Sequence, residues 1–401
     1  MKILFITDNF PPEVNAPATR SYEHCVEWVK KGINVTVITC TPNDSDGNVY
    51  KGYKNTLYKI EYMNGIKVVR VWTYIASERY FISRIVDYFS FAFMSLLAGL
   101  FIKTDIIIAT SPQFFTTWSA SLLSKLKRIP WVFEVRDLWP ASIIAVGAMK
   151  EGIIIDLLEK IELSLYRDSN KVIVVTESFQ NNLVIRGINK EKISVITNGS
   201  NLDLFYSRDK DDKLIGELKL KNKFVVGYIG THGMAHSLEF IINAIAKVKD
   251  KNIHFIFIGN GVMKQSIITM SNKLRLNNIT FLEPVSKERI ADYISIIDVS
   301  LAPLKKDDTF KKVIPSKIFE ASAMLKPTLL GVEGQAQDII EKYEAGICFE
   351  PENENDFLEK LYILKDDKEF YKKCQDGCHK LSSDFDRKIL ADKMLDIIKS
   401  I

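Results

Sequence analysis

Cysteine is scarce in this chain of 401 residues: there are five, scattered at Cys25, Cys40, Cys348, Cys374 and Cys378. An odd, dispersed set excludes a disulfide-stapled secreted scaffold and suits reduced thiols in a cytoplasmic protein. Cys374 and Cys378 stand one helical turn apart beside His379, but no second ligand pair accompanies them, so the spacing makes no zinc site. Net charge is slight as well, +4, too small to argue for a nucleic-acid partner. No secretory signal is read at the start, where residues 1–8 hold one basic residue and a very short apolar run. Long hydrophobic runs are also missing. The segment 80–102 is broken by Ser83, Arg84, Asp87, Ser90 and Ser95 and keeps only about fifteen uninterrupted apolar residues, fewer than the ~20 needed to span hydrocarbon. Arg84 and Asp87 would be costly in lipid. The segment therefore reads as a buried or half-buried helix, of a kind that also lies in a bilayer interface. Arg79, Arg84, Lys103, Lys125, Lys127 and Arg128 would face anionic lipid there.

What is present is a repeating alternation of short apolar runs with helical-period segments, in a chain long enough for two domains. Runs at 3–7, 34–39, 67–72, 106–109, 131–135, 172–175 and 194–197 are rich in β-branched residues without polar alternation, the pattern of parallel strands buried on both faces. The scheme restarts with runs at 224–229, 254–258, 280–282, 299–302, 327–330 and 346–349, separated by helical segments such as 237–249 and 287–296. The fold class expected is α/β with two Rossmann-like doubly wound domains, whose ligands bind beyond the carboxyl ends of the strands. Asn198-Gly199 and the charge-rich stretch 208–220 read as turn and linker, dividing a domain of residues 1–200 from one of 201–383. A last helix, 384–401, offers Ile389, Leu390, Met394, Leu395, Ile397 and Ile398 as an apolar face that caps the second domain or crosses back to the first.

Unusual chemistry collects in the loops after strands. Pro315-Ser316-Lys317-Ile318-Phe319-Glu320 puts a serine and a lysine at the start of a helix, where free N–H groups and the positive dipole end suit a diphosphate. Glu320, one turn on, is placed for the two hydroxyls of a ribose. Gly230-Thr231-His232-Gly233 and then His236 follow another strand, with glycines that allow close approach to phosphate and histidines that can donate to it. Gly259-Asn260 end the next strand with a turn suited to a base or ribose. The spacing is not Gly-x-Gly-x-x-Gly, and the acidic residue a nicotinamide ribose needs is missing, so a dehydrogenase is a poor reading. In the first half, two proline clusters stiffen the loop holding Glu13, Thr19 and Arg20. Glu134, Arg136 and Asp137 end a further strand, where two carboxylates and an arginine either pair or face a polar ligand.

The ordered set Pro11-Pro12-Glu13, Ala16-Pro17-Ala18-Thr19-Arg20, Glu134 to Pro140, Asn198-Gly199, Gly230 to Met234 and Pro315 to Glu320 resembles the GT-B family 4 glycosyltransferases. More narrowly, it resembles the branch that builds bacterial O-antigen and capsule, which includes N-acetyl-L-fucosamine transferases. The resemblance implies two domains facing a cleft and a final helix returning to the first domain. It also implies a UDP-sugar donor, with Glu320 on the ribose, Lys317 and Ser316 on the diphosphate, and Gly230, Thr231, His232, Gly233 and His236 on phosphates and sugar, joined by Gly259 and Asn260. No metal or other cofactor is implied, since lysine, arginine and a helix N-terminus neutralise the leaving diphosphate. The acceptor implied is a polyprenyl-diphosphate-linked saccharide at the inner face of the plasma membrane, met by Thr19, Arg20 and Glu134. Asp137 and Glu13 are the candidate bases if configuration inverts, with Glu134 ranked behind them and Arg136 beside them. If it is retained, leaving phosphate takes the proton. Two departures stand out: Lys312 occupies the place of a first glutamate eight positions before Glu320, and the usual arginine and lysine of the phosphate loop are replaced by Thr231, His232 and His236. A UDP-sugar 2-epimerase of the same frame is the alternative.

Overall fold

The computed structural model describes residues 1–13, 15–44, 47–75, 81–111, 114–140 and 152–401. Val14 of the proline-rich loop, and Arg79 and Tyr80 of the apolar segment, lie outside them. The chain forms two compact units, Met1–Thr197 with Lys388–Ile401, and Asn198–Arg387.

The first unit is built on the strands β1 (Lys2–Ile6), β2 (Asn34–Cys40), β3 (Tyr58–Met63), β4 (Ile66–Val71), β5 (Ile106–Thr110), β6 (Trp131–Val135), β7 (Lys171–Val174) and β8 (Ile193–Val195). Their spatial order is β3-β4-β2-β1-β5-β6-β7-β8. Every neighbouring pair is parallel except β3 with β4. The chain leaves β1 toward β2 on one side and later returns to β5 on the other, so the strand order reverses between β1 and β5. Ligands of open α/β sheets bind outside such a point. β3 was not expected. It is an antiparallel edge strand whose Tyr58, Ile60 and Tyr62 are exposed, so it lacks the all-apolar signature of its neighbours.

Helix α1 (Ala16–Lys30) starts at Asn15, whose side chain accepts from the Ala18 N–H, and Pro17 in the first turn gives up an N–H that had no helical partner. Helices α2 (Phe81–Leu100) and α3 (Phe114–Lys127) follow β4 and β5, and α4 (Ile153–Asp168) follows β6. The final helix, Arg387–Lys399, belongs with this unit from Lys388 onward. It begins three residues later than the sequence reading, because a separate helix, Lys368–Asp384, ends just before it. Leu390, Met394, Leu395 and Ile398 join Trp28, Phe5 and Cys25 in one core. Trp28 donates its indole N–H to the Ala391 carbonyl at 2.9 Å. Ile389, expected on that apolar face, is exposed.

The second unit carries β9 (Phe224–Ile229), β10 (Ile253–Ile258), β11 (Ile279–Leu282), β12 (Val299–Pro303), β13 (Thr328–Gly331) and β14 (Gly346–Cys348), in the parallel order β11-β10-β9-β12-β13-β14. Its reversal falls between β9 and β12. The stretch 208–220, read as a linker, is part of this unit. Asp211 caps a short helix, Asp212–Glu217, and Leu214 and Leu220 are buried against Phe205 and Ile256. The charges on the outer face of that helix concealed two core residues.

Candidate functional site

In the second unit, the loop after β9 and the loop after β10 pack backbone against backbone. Gly230 and His232 donate to the carbonyls of Ile258 and Asn260 at 2.9 and 2.8 Å, and Met263 donates to the His232 carbonyl at 2.9 Å. A Cβ at Gly259 would stand 1.9 Å from the Gly230 carbonyl oxygen, and its φ of +144° belongs to glycine. Gly259 thus serves loop packing, which corrects its reading as a donor contact; Asn260 keeps an exposed side chain. His232 is fully buried beside Tyr228 and Phe257, with both backbone groups bonded across the loops and both ring nitrogens without a hydrogen-bond partner. Burial, then the charges of Lys264 and Lys317, push its pKa down to about 4, so it is neutral. Thr231 is exposed at the loop tip, and Gly233 is half-buried.

Lys317 is the central group of this site. It opens the short helix Lys317–Ala323, with Ser316 just before it, and its Nζ is buried without a hydrogen-bond partner. The amine lies 3.6 Å from the centre of the Tyr228 ring, and a Cβ at Gly230 would be only 3.4 Å from it. Burial pulls its pKa down to about 7, against the partial compensation of the Glu320 charge in the same helical turn. His236 is held neutral, at about 3, by burial and by the Lys317 charge, opposed by a hydrogen bond to the Pro303 backbone. Sequence reasoning missed Tyr228. Its hydroxyl donates to the Thr231 carbonyl at 2.6 Å while its ring carries the amine, yet an aromatic inside an apolar strand gives no sign of either task.

In the first unit, Arg20 and Glu134, read as acceptor contacts, are joined instead in a buried pair, 2.8 Å between Nε and Oε1, each 1 % exposed. Arg20 also donates from Nη1 to the Thr197 carbonyl at 2.6 Å and from Nη2 to that of Ile196 at 2.9 Å. Thr19 is buried beside it. Arg136 is half-buried and donates to the Pro17 and Ala16 carbonyls, holding the start of α1. The backbone N–H of Arg136 donates to Ser111 Oγ at 2.8 Å. Asp137 is half-buried, and desolvation lifts its pKa to about 6 against the Leu138 N–H and the Arg136 charge. Glu13 is nearly fully buried. Burial and the Asp8 charge raise it to about 8, although it accepts from the Asn43 N–H at 3.2 Å and from Asn15 at 3.4 Å. Of the two candidate bases, Glu13 is thus the one held protonated at neutral pH and Asp137 the one left ionised. Among the described residues, no group of three His, Cys, Asp or Glu is disposed to hold a metal.

The outer face of α2 is apolar and open. Phe89, Phe93 and Leu97 are exposed, followed by Phe101 at 89 %, with Leu122 and Leu126 on α3 beside them. The opposite face, with Phe91, Ala92, Ser95 and Ala98, is buried. By length and composition Ser83–Leu100 is apolar enough to cross a membrane, but a helix with one face in a protein core is not surrounded by lipid. Lys127 donates to the Gly99, Leu100 and Ile102 carbonyls, capping α2, and Lys125 pairs with Asp168. Among the described residues of the basic flank, Lys103 and Arg128 are the exposed groups without such a task.

Residues 18–204 match the family described as Glycosyltransferase Family 4, and residues 209–379 match Glycosyl transferases group 1. The chain is 26% identical over 366 residues to the putative colanic acid biosynthesis glycosyl transferase WcaI of Escherichia coli (strain K12), covering 88% of this chain and 89% of that one. It is 22% identical over 252 residues, 62% of each chain, to the probable glycosyltransferase WbjE of Pseudomonas aeruginosa. Its fold matches the crystal structure of Anabaena HepE in complex with UDP-glucose, with a TM-score of 0.77, 16% identity and full coverage of both chains.

Proposed function

We propose, for a chain that is a glycosyltransferase whose first half is of the family 4 kind and whose second is of the group 1 kind, that it transfers a sugar from a UDP donor held by its second unit to a saccharide held by its first, in the building of a bacterial polysaccharide. The observation that carries the donor half is the Lys317 amine, buried, unpartnered and set against the loop after β9. A diphosphate answers it with charge-assisted hydrogen bonds, and Ser316 and Thr231 add polar groups. Uridine is supported by HepE, solved with UDP-glucose. Polysaccharide assembly is supported by the name of the colanic acid relative.

In the reaction the bond from the anomeric carbon to the UDP oxygen breaks, the acceptor oxygen bonds to that carbon, and UDP leaves with the added negative charge. Lys317 stabilises that charge, and Glu320 holds the ribose. Asp137, ionised at neutral pH with a value about 6, takes the acceptor's proton. No metal is invoked. Turnover is expected to persist in EDTA, and a loss that magnesium restores overturns that part.

Calorimetric titration with UDP, GDP and ADP tests the donor assignment. UDP is expected to bind selectively, and Lys317→Ala to weaken it by roughly 10- to 100-fold, the worth of a hydrogen bond to a charged group. The fold should be unaffected, because the amine makes no hydrogen bond in the free protein. Unchanged affinity would remove Lys317 from the site.

The sugar in this reading is an N-acetylated deoxyhexosamine such as N-acetyl-L-fucosamine, and the acceptor a polyprenyl-diphosphate-linked saccharide. Such an acceptor requires contact with the inner face of the plasma membrane, supported by the open apolar face of α2 and α3 beside Lys103 and Arg128. Phe101→Glu with Leu126→Glu, both at exposed positions, is expected to abolish flotation with phosphatidylglycerol vesicles and leave UDP affinity unchanged. Flotation equal to wild type overturns the membrane contact.

A further inference from the structure

A buried ammonium is stable only with an anion or several acceptors around it. The surroundings of Lys317 Nζ supply neither at hydrogen-bond range. The Tyr228 ring lies beneath it, and the Tyr228 hydroxyl is already donated to Thr231. Gly230 backs it with bare Cα. His232 and His236, which feel its charge from the loop after β9, are neutral. Glu320, on its own helix, acts on it electrostatically, and Lys264, which repels His232 from the start of the helix Lys264–Lys273, is paired with Glu283. A seat of this construction favours the uncharged amine while empty and the ammonium once phosphate oxygens arrive.

We propose that the enzyme binds its nucleoside diphosphate with the uptake of one proton from solvent, carried by the Lys317 amine. The inference rests on the donor site described above and deepens it. The balance is simple: neutral amine, one solvent proton and the diphosphate become an ammonium–diphosphate pair, with no bond broken.

Two consequences separate this from ordinary charge attraction. With the free lysine titrating at about 7, the UDP dissociation constant should rise about tenfold per pH unit above that value, because each unit makes the competent protonated form ten times rarer. Heat of binding should also depend on the buffer that surrenders the proton. The histidines do not compete for this role, since values of about 4 and 3 leave them too far from titration.

The test is calorimetry of wild-type protein with UDP at pH 8, in HEPES and in Tris, beside Lys317→Arg. At that pH the terminal phosphate, with its second pKa about 6, has already lost its proton. Close to one proton should be taken up by wild type and none by the arginine variant, whose guanidinium stays charged. Wild-type affinity measured from pH 7 to 9 gives the same answer without any variant. Equal heats in both buffers from a protein that binds UDP overturn the proton uptake and leave the donor site standing. Uptake that persists in Lys317→Arg also overturns it, by placing the proton elsewhere. Failure to bind UDP at all overturns the donor site and this inference together.

Discussion

Asp137→Asn is expected to lower turnover by roughly 10²- to 10⁴-fold, the usual contribution of a positioned general base, and to leave UDP affinity as it was. Of the carboxyls near the carboxyl ends of β1 and β6, Asp137 and Glu13 are the candidate bases, and their surroundings separate them. Glu13, raised to about 8 by burial and by Asp8, holds its proton at neutral pH. Asp137, at about 6, has lost its proton and still binds one readily. The expected pH profile follows: turnover rises with pH through about 6 and does not wait for 8. Steady-state kinetics of the asparagine variant, with UDP titrated separately, checks both statements. A loss below tenfold would assign Asp137 to orienting the acceptor, and the proton to the leaving diphosphate.

Arg20→Ala is expected to destabilise the first unit by about 3–5 kcal/mol, the cost of leaving a buried charge unpaired. Burial alone would raise the Glu134 carboxyl. The charges of Arg20 and Arg136 overcome it and hold the group below its ordinary value. In wild type, Glu134 therefore contributes stability that is present above the unfolded carboxyl's value, about 4.3, and is lost as pH falls through the lower folded value. In the variant burial acts with less opposition, the folded carboxyl retains a proton, and the deficit should shrink as the solution is acidified toward pH 5. Urea unfolding followed by tryptophan fluorescence reports on this unit specifically. The five tryptophans, Trp28, Trp72, Trp118, Trp131 and Trp139, all fall within Met1–Thr197. Wild-type stability in Arg20→Ala would return the pair to the list of acceptor contacts.

The parallel strands were legible because each is buried on both faces, so Ile106–Thr110 and Trp131–Val135 read as unbroken apolar runs. β3 was not, since an edge strand alternates. Its signal was Asn64-Gly65, with φ of 45° and 82°, the turn chemistry of a two-residue hairpin. At the site, the position of Lys317 at a helix start was readable from Pro315-Ser316-Lys317 alone. What lay beneath it was not, because Tyr228 has the same pattern as any core aromatic. The Arg20–Glu134 pair was misread for a related reason. Residues 114 positions apart show their charges in sequence but not whether they face one another or a ligand.

The final helix has a consequence for how the protein is made. Trp28 and its neighbours leave the ribosome well before Leu390, Met394, Leu395 and Ile398, which complete their core. At 5–20 residues per second, the roughly 360 residues between Trp28 and Leu390 take about 20–70 s to synthesise. The second unit, Asn198–Arg387, is contiguous and has all its parts while the first still lacks its closing helix. The unit that starts first is thus the one completed last, its core left open while the second unit is made.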